Sequence, residues 1–135
     1  MFIKENELIL VELDSMNEVH RNEIEILNKL FLSLEEKNEE NITKFFDELI
    51  EDMKFHFDSE EKKMKEYNFH ALMKHKMAHI QAILDIRKIR TQWEKNKDIV
   101  ELKDFFETAF KPWLIRHLEG MDSVTAKFLK EAGCK

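Results

Sequence analysis

An all-α fold, an up-down-up-down four-helix bundle with an N-terminal arm and a short C-terminal helix, is what this sequence predicts. Three observations carry that expectation. The 135 residues include two glycines and one proline, too little turn punctuation for a hairpin-based fold. Glu, Lys, Leu, Ile and Met dominate the composition, and all of them favour helix. Large apolar residues recur at three- and four-residue intervals through four long stretches separated by short polar breaks, the pattern of amphipathic helices joined by short connections. A chain of this length is expected to form one domain, residues 1–135, with a core of its own.

The elements follow in order. Met1 to Glu12 carries an apolar patch, Leu8-Ile9-Leu10-Val11, read as a packed arm or an early helical turn. The first helix is expected from Asp14 or Ser15, both good N-caps, to about Leu34. Its inward stripe is Met16, His20, Glu23, Leu27, Leu30 and Leu34. The charged run Glu35 to Glu40 reads as a solvated connection, with Asn41 as the cap of the second helix. That helix repeats Phe46, Leu49, Met53, His56, Glu60, Met64 and Tyr67, and Asn68 ends it or caps the third. The third continues through Leu72, His75, His79, Ile83, Ile86 and Trp93. Lys95-Asn96-Lys97 is the next break and Asp98 the next cap. Leu102, Phe106, Ala109, Trp113 and His117 then stand at helical spacing. Pro112 has no N–H to donate, so the fourth helix is expected to kink there or to be rebuilt as two segments. Gly120 loosens the backbone after His117 and places Asp122 on a turn or at the start of a last helix, Ser123 to Lys130.

A formal net charge of −6 argues against nucleic acid or anionic lipid as a partner. No apolar run approaches membrane-spanning length, and the N-terminus lacks a secretory signal pattern. The one cysteine, Cys134, lies in the tail and offers neither a disulfide nor a thiolate metal site within the chain. A reduced, cytoplasmic setting is the expectation.

All four inward stripes carry polar residues of metal-ligand type. His56 and Glu60 are four apart and share one helix face, as do His75 and His79. His20 and His117 sit on the other two stripes, with Asp122 five residues after His117. A lone His-x3-His, here with Lys76 inside it, is more often a polar surface face than a site. Joint placement on four core faces changes that weighing. Leaving five buried imidazoles unpaired would cost about as much as a whole domain's stability, roughly 5–15 kcal/mol. A metal centre removes the conflict. Nitrogen and carboxylate donors without thiolate suit iron better than calcium or structural zinc. The chain lacks the Glu that follows the first His in zinc proteases and the Glu-x2-His of ferritin-like bundles. His70 lies off the stripes and reads as a surface or capping residue.

In this order, His20, His56-x3-Glu60, His75-x3-His79 and His117-x4-Asp122 on successive helices resemble the hemerythrins, and among them the single-domain bacterial ones. The resemblance runs from about Leu13 to Asp122. Phe57 directly after His56, Tyr67 before the third helix, and Trp113-Leu114 one turn before His117 extend it. It implies two iron ions joined by an oxo or hydroxo bridge. His75, His79 and His117 would hold one iron, His20 and His56 the other, and Glu60 and Asp122 would bridge them. That leaves a vacancy on the His20/His56 iron. The implied function is O2 binding at the vacancy, for storage, delivery or sensing, with Phe57, Trp113 and Leu114 lining a dry pocket. An O2 binder rather than an enzyme is expected. The alternatives are reduction of peroxide or NO at the same centre, and an iron- or O2-responsive module acting on a separate protein partner of unknown identity.

At one position the chain departs from that family. Leu or Ile usually stands three residues after the first histidine, where this chain has Glu23. Glu23 shares the face of His20 and has three placements open to it. It could ligate the second iron and close the vacancy, hydrogen-bond a bound ligand or an imidazole, or swing out to solvent with Ile24 turning inward.

Overall fold

Four helical rods pack side by side in the computed structural model, which describes every residue except Met1, Glu5, Asn6 and Leu8. Leu8 of the apolar patch therefore lies outside the described residues. The first three rods are α1 (Asp14–Glu35), α2 (Glu39–Glu66) and α3 (Leu72–Asn96). The fourth is built from α4 (Ile99–Phe105), α5 (Lys111–His117) and α6 (Ser123–Glu131), and no strand occurs among the described residues. Cross-links fix the directions. Lys63 donates to Ser15 and Asn22 to Asp52, so α2 runs antiparallel to α1. Trp93 donates to Thr43 and Arg90 to Asp47, which reverses α3 against α2. His75, at the start of α3, meets Thr125 near the end of the fourth rod. None of these helices is long and apolar enough to cross a membrane.

With so few glycines, the turns are made by other residues. Lys37, Asn68 and Lys97 take left-handed backbone, with φ of 55°, 56° and 48°. At the first two, the following N–H reaches back to close the helix: Asn38 to the Ser33 carbonyl (3.1 Å) and Phe69 to the Met64 carbonyl (2.8 Å). The charged run Glu35–Glu40 is thus two helix ends around a tight turn. The cap of α2 is Asn38 rather than Asn41, its side chain accepting from the Asn41 N–H at 3.1 Å. Glu39 and Glu40 then stand in the first turn, where the helix dipole favours negative charge. Asn68 ends α2 and does not cap α3, whereas Asp98 caps α4 by accepting from Glu101 N–H.

Neither Asp14 nor Ser15 caps α1, whose N-cap position is Leu13 with no side-chain cap. The chain before it is held another way. The Asn17 side chain accepts from the Val11 N–H (2.8 Å) and donates to the Val11 carbonyl (2.9 Å). Asn28 does the same for Ile3, at 2.8 and 3.0 Å. Two asparagines eleven residues apart on α1 therefore clamp the arm along the helix. Phe2 stacks on Phe31 with ring centroids 4.4 Å apart, and Lys111 donates to the Phe2 carbonyl.

The fourth rod is helical without a break from Ile99 to Glu131, its α segments joined by two locally widened turns. Lys111 N–H reaches the Phe106 carbonyl and Ser123 N–H the Leu118 carbonyl, each five residues back, so Phe106–Phe110 and Leu118–Asp122 are π turns. Pro112 stands in the first turn of α5, where its missing N–H does least harm. The extra residue in the first π turn shifts the inward stripe. Phe110, Leu114 and Leu118 are buried, while Ala109 is exposed and Trp113 half-buried, in place of the predicted Ala109 and Trp113.

Two apolar clusters result. The larger, around Leu27, Leu30, Phe46, Leu49, Ile86, Trp93 and Phe106, fills one end of the bundle. The smaller joins Val11, Leu13, Met16, Ala126 and Leu129 at the other.

Truncating the arm's clamp exposes its cost. Asn17→Ala leaves the Val11 N–H and carbonyl without partners, and the expected loss is about 1–3 kcal/mol in urea denaturation, with faster hydrogen exchange at Val11. An unchanged midpoint would show that the arm is not held by this pair.

Candidate metal centre

Between the two apolar clusters, all four rods turn polar side chains inward. His56 and Glu60 lie one turn apart on α2, and His75 and His79 one turn apart on α3. His117 and Asp122 are five apart, a spacing that an α-helix would put on different faces. The π turn Leu118–Asp122 takes in one residue more, so the two side chains converge. His20 completes the set from α1. His117 is 6% exposed and the other six are 3% or less.

The donor atoms fall into two groups, each within 4.8 Å: Glu60, His75, His79, His117 and Asp122 in one, His20, His56, Glu60 and Asp122 in the other. Glu60 and Asp122 belong to both, and each offers one oxygen to each group. Asp122 Oδ1 lies 3.0 Å from the Nε2 atoms of His75 and His117, while its Oδ2 lies 3.1 Å from His20 Nε2. Glu60 Oε1 faces His75 and His79 at 3.4 and 3.5 Å, and its Oε2 faces His56 and His20.

Outer partners aim three of the rings. His56 Nδ1 meets Glu23 Oε2 at 2.7 Å, His79 Nδ1 meets Glu61 Oε2 at 2.9 Å, and His75 Nδ1 meets Thr125 Oγ1 at 2.8 Å. With Nδ1 engaged on the outside, Nε2 points to the centre, the arrangement that fixes a metal-binding tautomer. Phe57 stacks on His79 at 3.9 Å and Trp113 on His117 at 4.8 Å. The residues fit a cation. His20 Nε2, His79 Nε2, Glu60 Oε1 and Asp122 Oδ2 are buried with no hydrogen-bond partner, and all four face the centre. A positive ion in each group would satisfy them.

Of the placements open to Glu23, the structure shows the hydrogen bond to an imidazole. Glu23 is 1% exposed, grips His56 from outside and belongs to neither donor group. Ile24 is buried beside it. Leu114 lines a cleft next to His20, together with Glu23, Ile24 and Leu118, too narrow to admit a water-sized sphere. Phe57 packs on His79 of the other group and also lies against His56, with ring centroids 5.2 Å apart, while Trp113 packs on His117. His70 is exposed and outside both. Thr125, Glu61 and Leu118 were not singled out from the sequence, and Ile24 only as the residue that would turn inward if Glu23 left. Spacing carried a signal for two of them, since Thr125 is three residues from Asp122 and Ile24 four from His20.

The matching family model is the hemerythrin HHE cation binding domain, over residues 11–129. The chain belongs to the hemerythrin family. Among curated relatives, it is 35% identical over 129 residues to a bacteriohemerythrin of Aquifex aeolicus (strain VF5), an alignment covering 96% of this chain and 98% of the relative. A bacteriohemerythrin of Stenotrophomonas maltophilia (strain R551-3) is 27% identical over 120 residues, covering 89% and 76%.

Without metal, the hemerythrin centre stores charge as protons. Burial works against a charged His20, yet the carboxylates of Asp122 and Glu60 outweigh it and push its pKa up to about 9. Burial likewise opposes charge on His56, and Glu60 and Glu23 raise it well above the usual histidine range. Burial would raise Glu60 and Asp122, but their histidine neighbours hold both carboxyls well below the ordinary range. The raised histidines stabilise the metal-free fold fully below about pH 6.5, and that contribution is lost as pH rises through about 9. Urea midpoints of metal-free protein are expected to fall across this window, whereas metal-loaded protein, with ions in place of protons, lacks the fall. Equal pH dependence in both forms would show that His20 and His56 carry no such charge.

Proposed function

We propose that this hemerythrin-family chain is a di-iron protein that binds O2 reversibly. His75, His79 and His117 hold one iron, His20 and His56 the other, and Glu60 and Asp122 bridge them alongside an oxo or hydroxo group. One observation carries the reading: two shared carboxylates serve donor groups of unequal size, three histidines against two. The smaller group therefore leaves its ion a position free, beside the cleft of His20, Ile24, Leu114 and Leu118.

The iron pair supplies electrons that O2 can borrow and return. The chain's own residues make the loan reversible by keeping water out. Ile24, Leu114 and Leu118 are buried, and the cleft they line has no room for water at rest. Phe57 and Trp113 hold the planes of His79 and His117, and Glu23, Glu61 and Thr125 hold three ring nitrogens. Free Cys134 and ferrous iron both suit a reduced cytoplasmic setting. A second reading, reduction of peroxide or NO at the same centre, is favoured by a single observation, the buried carboxylate of Glu23 beside the cleft.

Anaerobic reconstitution with ferrous iron is expected to load two ions per chain, and Asp122→Ala to lose most of that iron because both groups share Asp122. Admitting air should change the visible spectrum, and removing it should restore the ferrous state. Irreversible oxidation with peroxide consumption would favour the reductase, and failure to take up iron would end both readings.

A further inference from the structure

We infer that Glu23 selects what the open side of the centre accepts, favouring small neutral ligands that donate a hydrogen bond, hydrogen peroxide being the representative, over anions. The inference deepens the di-iron reading and rests on it.

Glu23 is 1% exposed, and its two oxygens have different circumstances. Oε2 is taken by His56 Nδ1 at 2.7 Å. Oε1 is buried with no hydrogen-bond partner, and Glu23 lines the cleft whose other walls are His20, Ile24, Leu114 and Leu118. Three of those four neighbours are aliphatic, so an occupant that parts these side chains meets the Glu23 oxygen and, from His20, ring nitrogens that are also buried without a partner. A carboxylate oxygen accepts hydrogen bonds and gives none. An occupant with an O–H can pair with it. Azide has no hydrogen to offer, leaves it unsatisfied and adds like-charge repulsion.

A second carboxyl strengthens the effect. Asp52 on α2 is held through Oδ1 by Asn22 of α1 at 2.9 Å, and its Oδ2 is also buried without a partner. Burial and then the charge of Glu23 raise the Asp52 carboxyl, which puts the two acids within electrical reach of each other. Two carboxyls thus flank the α1–α2 seam beside the cleft, Glu23 bonded to His56 and Asp52 to Asn22.

Glu23→Gln separates this role from the simple aiming of His56. The glutamine carbonyl can still accept from His56 Nδ1, while its NH2 group replaces an acceptor in the cleft with a donor. The probe is azide, titrated into oxidised, iron-loaded wild type and variant and followed by the visible spectrum, with iron content measured on the same samples. The expected result is azide binding about tenfold tighter in Glu23→Gln at two irons per chain, the scale of one hydrogen bond gained. Should Glu23→Gln lose iron, Glu23→Leu is the second arm, and tighter azide binding is expected there too. Unchanged azide affinity in an iron-loaded variant would overturn the inference and reduce Glu23 to a positioning residue, leaving the di-iron reading intact. A wild type that takes up no iron would remove that reading and this one together.

Discussion

Two buried carboxylates, Glu60 at 3% exposure and Asp122 at 0%, must each find positive partners on both sides, and the bundle is arranged to provide them. Each of the four rods brings at least one histidine toward these oxygens. Burying unpaired carboxylates in such a place would be prohibitive, because charge in a low-dielectric interior is tolerated only with close compensation. Protons on His20 and His56 supply it in the metal-free chain, and metal ions would supply it in the loaded one. The interior polar layer thus ties the two apolar clusters together and makes the rods depend on one another for neutrality.

Much of this was legible beforehand because helical spacing is a simple rule. Every residue named on the α1 stripe, Met16 to Leu34, is buried, Glu23 included. On α2 the stripe from Phe46 to Met64 is buried as named, and His75 and His79 face inward on α3. The reading weakened where the backbone leaves α-helical pitch. Ala109 and Trp113 were placed by a constant period, but a π turn inserts one residue and hands their places to Phe110 and Leu114. Nothing local in Phe-Glu-Thr-Ala-Phe announces that insertion. The pairing of His117 with Asp122 was legible only as a resemblance, since its physical basis is the second π turn.

End signals were ambiguous for a related reason. Asn38 and Asn41, or Asp14, Ser15 and Asn17, are all competent to accept backbone N–H groups. Which one does so depends on the path of the neighbouring segment. Asn17 is spoken for by Val11 because the arm lies alongside α1, a tertiary fact. Glu23 illustrates the same limit within the site. Sequence placed it on the face of His20, while its partner, His56, is thirty-three positions away and had to be brought there by the packing of α1 on α2.

The clasped arm reverses the polarity usual for an even number of antiparallel rods, where both chain ends emerge together. Ile3 is fastened beside Asn28 and Phe2 beside Phe31, while Cys134 packs with the small cluster around Leu129 at the opposite pole. A fluorophore or affinity handle attached ahead of Phe2 would therefore sit about 16 Å along α1 from His20, level with the large apolar end. One joined after Lys135 would leave from the far pole. Grafted into a longer polypeptide, this hemerythrin-family unit would act as a strut, holding its two neighbours roughly a helix length apart.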